Sequence, residues 1–270
     1  MRLFFVGDVV GKQGVNIVCQ AVPGFRRREN IDLVVVNAEN ADGGSGITPA
    51  IYRRLKEAHV DCITLGDHIY RKKDIFKILN KESDIIKPAN FPPESPGKGW
   101  TTVTTSFGRK VAVVSLMGRV FMRPVDCPFH AAEKVLKEIP DEINIRFVDF
   151  HAEATSDKQL MGRFLDGKVS AVLGTHTHVT TADERILPKG TAFQCDVGMT
   201  GPHESILGRD IDSVMETTVT FFPKSFHVAH GDVRISGSIV EIDRGTGKAT
   251  SITRVSIDEE EARKLESYID

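Results

Sequence analysis

Cysteine is scarce and dispersed in this chain. Cys19, Cys62, Cys127 and Cys195 are its only cysteines, and no two form a CxxC pair. That spacing excludes a cysteine-based metal site, and the four read as reduced, mostly buried thiols of a cytoplasmic protein. Long apolar runs are missing too. No stretch reaches the roughly 18 apolar residues that a membrane span needs. The opening MRLFFVGDVVGK is broken by Asp8, unlike a secretory leader, so no membrane partner is expected. Neither sign of charge dominates: 35 basic against 37 acidic residues leave a formal net charge of −2, which provides no field for non-specific nucleic-acid binding. Low-complexity tracts, solenoid repeats and a convincing linker are absent as well. A single domain over residues 1–270 is therefore the expectation.

What is present is an alternation of short apolar runs with helical patterns. Strand-like runs lie at 2–8, 32–40, 60–68, 84–90, 110–116, 143–153, 169–178 and 191–198, rich in Val, Ile and Phe. Between them, TPAIYRRLKEAH offers Thr48 as an N-cap and Pro49 at the first helical position. Further helices are expected near 71–80, 130–138, 157–166 and in the acidic DEEEARKLESYI. Such alternation predicts an α/β fold. From about 215 onward, apolar and β-branched residues follow one another between Gly-rich turns, which predicts an antiparallel meander.

Five of the apolar runs end in an oxygen or imidazole donor. FFVG leads to Asp8, LVVVNA to Glu39 and Asn40, CITLG to Asp67 and His68, IRFVDF to His151, and AVLG to His176 and His178. Parallel strands place their carboxyl ends on one side of a sheet, so residues remote in sequence can converge there. Taken singly, a strand-end acid is most often a turn residue or helix cap, and a lone histidine a hydrogen-bonded core residue. Taken together, they suit a pair of metal ions. Carboxylate and amide oxygens fit hard or borderline cations, and imidazole extends the set to Mn, Fe, Co or Zn. His176 and His178 are two apart and would point to one side of an extended segment. Two ions about 3.5–4 Å apart need a bridging group, which a carboxylate such as Glu39 can supply.

The set GDVVG, NAEN, GDH, FHAE and GTHTHV resembles the calcineurin-like metallophosphoesterases, which typically carry D, GD, GNH and late histidines ending in GHxH. It is most similar to the bacterial YmdB family, through GDVVGKQG, ENADGGSGIT, GRVFMRPVDCPF, DFHAEATSDK, GTHTHVTTAD and DVGMTGP. The resemblance runs from Met1 to about Asp243. It implies a four-layer α-β-β-α sandwich and a metal-dependent phosphodiesterase of small phosphodiesters, 2′,3′-cyclic nucleotides foremost. Other cyclic nucleotides (3′,5′) and RNA ends are further substrate classes it admits. Its implied cofactors are two divalent or mixed-valence ions drawn from iron, manganese or zinc. Asp8 and His178 would hold one ion, Glu39 would bridge, and Asn40, Asp67, His151 and His176 would hold the other. Metal-bound hydroxide would attack phosphorus, and His68 as an imidazolium would protonate the leaving oxygen.

Two loops offer substrate contacts. Gly43 and Gly44 in ADGGSGIT would allow close backbone approach to a phosphate, or equally form a turn before the helix. DVGMTGP resembles a loop near the family's site, which offers Met199, Thr200 and Gly201. The chain departs from the family pattern at Gly66-Asp67-His68, where the family has GNH. Against two divalent ions, Asp8 and Glu39 leave a charge of about +2, and an ionised Asp67 lowers it to about +1. Tighter metal binding and weaker attraction for phosphate follow. A second departure is HIYRKKDI, where the family usually has an aromatic and an acid soon after the histidine. The competing reading is a metal-binding regulatory or scaffold protein whose catalysis is weak or lost through Asp67. Retention of every other ligand type favours the enzyme. Self-association into a homo-oligomer is compatible with the sequence, which carries no seam that marks one.

Overall fold

The apolar runs become strands buried on both faces, as their unbroken Val, Ile and Phe content requires. The computed structural model describes residues 1–269. Its strands begin with β1 (Arg2–Val6), β2 (Leu33–Asn37), β3 (Cys62–Thr64), β4 (Ile85–Ile86), β5 (Trp100–Thr104) and β6 (Lys110–Met117). They continue with β7 (Arg146–His151), β8 (Ala171–Thr175), β9 (Arg185–Ile186), β10 (Ala192–Gln194), β11 (Gly201–Glu204), β12 (Gly231–Ile242) and β13 (Ala249–Asp258). The α-helices are α1 (Gly11–Arg28), α2 (Pro49–Glu57), α3 (Phe76–Lys81), α4 (Pro128–Glu138), α5 (Thr155–Leu165), α6 (Ile211–Thr220) and α7 (Glu259–Leu265).

The strands form two sheets. In the first, β1, β2, β3 and β4 run parallel, and β12 joins β1 antiparallel through Val6↔Gly237 to Arg2↔Glu241. β11 pairs with the first part of β12, and β13 with its other edge. In the second sheet β6, β7, β8 and β10 are parallel, with β5 and β9 antiparallel at the edges.

The two-residue period of a strand then sorts its side chains into layers. Leu3 and Phe5 of β1 face the second sheet and pack with Val113 and Phe147, while Phe4 and Val6 face α1 and α7. On the far side, Val114, Val148 and Phe150 pack against α4 and α5. The result is the four-layer α-β-β-α sandwich.

The short strands β5, β9 and β11 lie outside the expected runs, and two longer stretches also differ from the sequence expectation. α1, an 18-residue helix, has no strong helical signature because Gly14, Pro23 and Gly24 interrupt it. Packing outweighs that propensity: Val15, Val18, Ala21, Val22 and Phe25 are buried, and a Cβ on Gly24 would run into the carbonyl oxygen of Leu265 in α7. The expected meander from 215 reduces to the β12–β13 hairpin. Residues Ile211–Thr220 are helical instead, with the Asp210 side chain accepting from Ser213 N at 3.0 Å as an N-cap. The β-branched run Thr217–Thr220 mimics a strand, and the cap decides the local structure. α2 forms as its sequence predicts, Thr48 Oγ1 accepting from Ile51 N at 3.4 Å.

Candidate metal centre

A cleft of about 260 Å³ is lined by Glu39, Asn40, His68, His176 and His178, with Asp8 and His151 fully buried beside them. The first sheet brings Asp8 after β1, Glu39 and Asn40 after β2, and Asp67 and His68 after β3. The second brings His151 at the end of β7, and His176 and His178 after β8. His151 Nε2 lies 3.3 Å from Glu39 Oε1, 3.2 Å from Asp67 Oδ1 and 3.0 Å from His176 Nδ1. Asp8 Oδ2 accepts from the backbone of His176 at 2.9 Å. Asn40 turns its amide nitrogen to Glu39 Oε1 (3.0 Å) and His178 Nε2 (3.2 Å), and its oxygen accepts from His68 Nδ1 at 2.7 Å. His176 and His178 do not extend β8. Both take positive φ, 96° and 65°, a left-handed conformation rare for side chains this large and typical of functional sites.

The donor chemistry fits a divalent metal. Glu39, Asp67, His151 and His176 each offer a ligand atom within 4.8 Å of the others. Two imidazole nitrogens facing at 3.0 Å need either a shared proton or a cation between them. Asp8 Oδ1 is buried without any hydrogen-bond partner, a position a cation would satisfy. Burial pushes the Asp8 carboxyl up to about 6, partly offset by His178 and His151. Burial alone would also raise Glu39, but His151 and His68 hold it well below the ordinary carboxylate range. Asp67 is likewise held low against its burial, by its hydrogen bond to His151. Burial opposes charge on His151, yet Glu39 and Asp67 lift it well above an ordinary imidazole. His176, buried beside His151, is pushed down to about 4. The hydrogen bond to Glu39 raises His68.

The sequence family described as YmdB-like protein matches residues 4–255. The chain belongs to that family. A relative from Bacillus subtilis, a 2′,3′-cyclic-nucleotide 2′-phosphodiesterase by name, is 44% identical over 260 residues, covering 96% of this chain and 98% of its own. A hypothetical protein from Thermus thermophilus superposes with a TM-score of 0.90 at 39% identity, over 96% of this chain and all of the other. A Mycoplasma pneumoniae structure described as a novel phosphatase superposes with a TM-score of 0.89 at 32% identity, over 96% and 93% of the two chains. The YmdB-like fold is thus the sandwich described above.

In this YmdB-like cleft the weaker candidates fall into two groups. Gly44 lines the metal cleft, whereas Gly43 lines an adjoining cavity with Lys12 and Phe226. Met199, Thr200 and Gly201 are buried behind the cleft wall, where Thr200 N donates to Asp8 O (2.8 Å) and Met199 N to His178 O (3.2 Å). Residues that sequence reasoning missed complete the site. Glu153 Oε2 lies 3.1 Å from His176 Nε2, and Arg209 reaches the cleft from a distant loop. Beneath the donors, buried Asp149 accepts from Asn37 Nδ2 (2.9 Å), Thr64 Oγ1 (2.5 Å) and Thr175 Oγ1 (2.7 Å). Thr175 has one hydroxyl proton and gives it to Asp149, so its oxygen accepts from His151 Nδ1 at 2.9 Å. Nδ1 therefore keeps its proton, and it is Nε2, facing Glu39, Asp67 and His176, that would give up a proton to present a lone pair to a metal.

Proposed function

We propose that the protein is a dinuclear metal-dependent phosphodiesterase of small phosphodiesters, 2′,3′-cyclic nucleotides first among them, with cyclic RNA ends as larger members of the class. The observation that carries this reading is the meeting of Glu39, Asp67, His151 and His176 within 4.8 Å, beside the unpartnered Asp8 oxygen. The name of the Bacillus subtilis relative supplies the substrate class. In this reading Asp8 and His178 hold one ion, Glu39 lies between, and Asn40, Asp67, His151 and His176 hold the other. Asn40 would ligate once its amide is turned to present oxygen. Iron, manganese and zinc all suit these donors. When bound, the ions would act as Lewis acids on the phosphoryl oxygens and lower the pKa of a water that serves as nucleophile. Such a water would lose a proton to solvent and add through its oxygen to phosphorus, the bond from phosphorus to the ribose oxygen would break, and the released oxygen would take a proton from His68.

His68 suits this role because its Nδ1 is engaged by Asn40 and Glu39, at 2.7 and 3.2 Å, leaving Nε2 for the cleft. The same Glu39 contact favours the imidazolium that an acid must begin as. The reading takes residues 1–270 as one catalytic domain, supported by the pairing of β1 with β12, which joins the two halves of the chain. Elemental analysis combined with turnover of 2′,3′-cAMP and an aryl phosphodiester, across added Fe, Mn and Zn, tests it. The expected result is two ions per chain and turnover that falls about 10²–10⁴-fold in His68→Ala. Stoichiometric metal without turnover of any diester would return the chain to the regulatory or scaffold reading.

A further inference from the structure

Arg209 stands in the loop between β11 and α6, far in sequence from most of the metal donors, yet it lines the cleft with Glu39, Asn40, His68, His176 and His178. Its half-buried guanidinium is held entirely by neutral carbonyls. Nη1 donates to Gly43 O at 2.9 Å and to Phe226 O at 3.1 Å, and Nη2 donates to Gly44 O at 2.5 Å. A guanidinium carries five N–H groups. One on Nε and one on Nη2 therefore have no acceptor among the described residues.

No carboxylate among the described residues pairs with it either, because the nearby acids are engaged elsewhere. Asp210 caps α6 through Ser213 N at 3.0 Å, Asp42 pairs with Lys72 at 2.9 Å, and Glu153 contacts His176 at 3.1 Å. Gly44 makes the arrangement possible, since a Cβ there would lie 2.6 Å from Arg209 Cζ. A partly desolvated cation compensated only by dipoles is poised for an anion. Nε and Nη2 of one guanidinium are spaced to take two oxygens of the same phosphoryl group.

We propose that Arg209 is a substrate-binding residue whose Nε and Nη2 grip the two non-bridging oxygens of the diester, while its remaining donors brace the Gly43–Gly44 wall. This rests on the phosphodiesterase reading and deepens it. Asp67 lowers the positive charge that the centre presents to an anion, and Arg209 restores about one unit at the cleft wall. It also fixes the phosphorus between the metal donors and His68.

The test is calorimetric titration of metal-loaded wild type, Arg209→Gln and Arg209→Lys with inorganic phosphate, alongside metal content and melting temperature. Phosphate affinity should fall at least about tenfold in the Gln variant and by less in the Lys variant, which keeps the charge but not the fork. Metal content should not change. A metal-replete Gln variant that binds phosphate like wild type overturns the proposal, as does a wild type that binds none. Loss of metal or fold in both variants assigns Arg209 to holding the loop and overturns it too. Phosphate binding needs no turnover, so a wild type that binds phosphate but cleaves no diester defeats the phosphodiesterase reading alone, and the variants still decide Arg209.

Discussion

Asp67 sits at the crossing of three histidines, 3.2 Å from His151 Nε2, 3.6 Å from His176 Nδ1 and 3.7 Å from His68 Nε2. An amide in its place would keep the donor oxygen and remove the charge. Asp67→Asn should therefore bind metal about tenfold more weakly, a change of about 1.4 kcal/mol, yet turn over 2′,3′-cAMP several-fold faster when metal-replete. Metal competition titrations and saturating kinetics check the two halves separately, and a metal-replete Asn variant no faster than wild type defeats the charge argument. The donors could be picked out in the sequence because each closes an apolar run, a contrast of one polar residue against a buried stretch. Glu153 closes the 143–153 run as well and Arg209 follows Ile206-Leu207-Gly208, but a single charged residue there names no partner, and His176 and the Gly43 and Gly44 carbonyls that they meet lie remote in sequence. The left-handed His176 and His178 were illegible for another reason: the GTHTH pattern satisfies an extended strand as well as it does a bend.

Four of the strands do two jobs at once. Each carries a candidate metal donor at or just past its end and, one to three residues earlier, a buried polar residue: Asn37 before Glu39, Thr64 before Asp67, Asp149 before His151, Thr175 before His176. Those four polar side chains tie the two sheets together under the cleft, with Asp149 as the shared acceptor. Asp149→Ala would strand three donors in a dry interior, so the metal-free protein should lose at least about 3 kcal/mol. Metal affinity should fall with it, because Thr175 would no longer be fixed as the acceptor for His151 Nδ1. Urea unfolding and metal titration measure both effects, and an unchanged midpoint would show that the knot is not structural. The knot is readable in hindsight, since VVVN and FVDFH each interrupt an apolar strand with a side chain that must be satisfied. The buried central strands and α2 were legible from periodicity and caps, whereas the short strands β5, β9 and β11 lie outside every expected run. α1 was not, because its glycines answer to α7 rather than to its own helix, and α6 was not, because its cap lies outside the strand-like stretch it governs.

At the scale of the whole molecule, the cleft is a place where the fold stores protons that a metal must displace. His151 is raised well above an ordinary imidazole, so the metal-free fold keeps its proton through neutral pH, and the stability this contributes is lost as pH rises through that raised value. Asp8 at about 6 acts in the same direction: the fold favours its protonated form, and ionising it costs stability as pH climbs from the ordinary carboxylate range past 6. His176, lowered to about 4, acts oppositely and only on the acid side, as pH falls below the ordinary imidazole value. Glu39 and Asp67, held low, contribute stability that is lost only in stronger acid. Between roughly pH 6 and 8 the metal-free protein should therefore weaken as pH rises. Metal binding requires the deprotonated donors, so over the same interval its affinity should tighten about tenfold per pH unit for each proton released. Melting temperatures with and without saturating Mn or Zn should diverge from about pH 6 to pH 8, since ligand stabilisation grows as RT ln(1 + [L]/Kd). Calorimetry in buffers of different ionisation enthalpy should count the released protons directly. A constant or narrowing gap, with no proton release, would mean that the ions bind elsewhere than among Asp8, Glu39, Asp67 and His151.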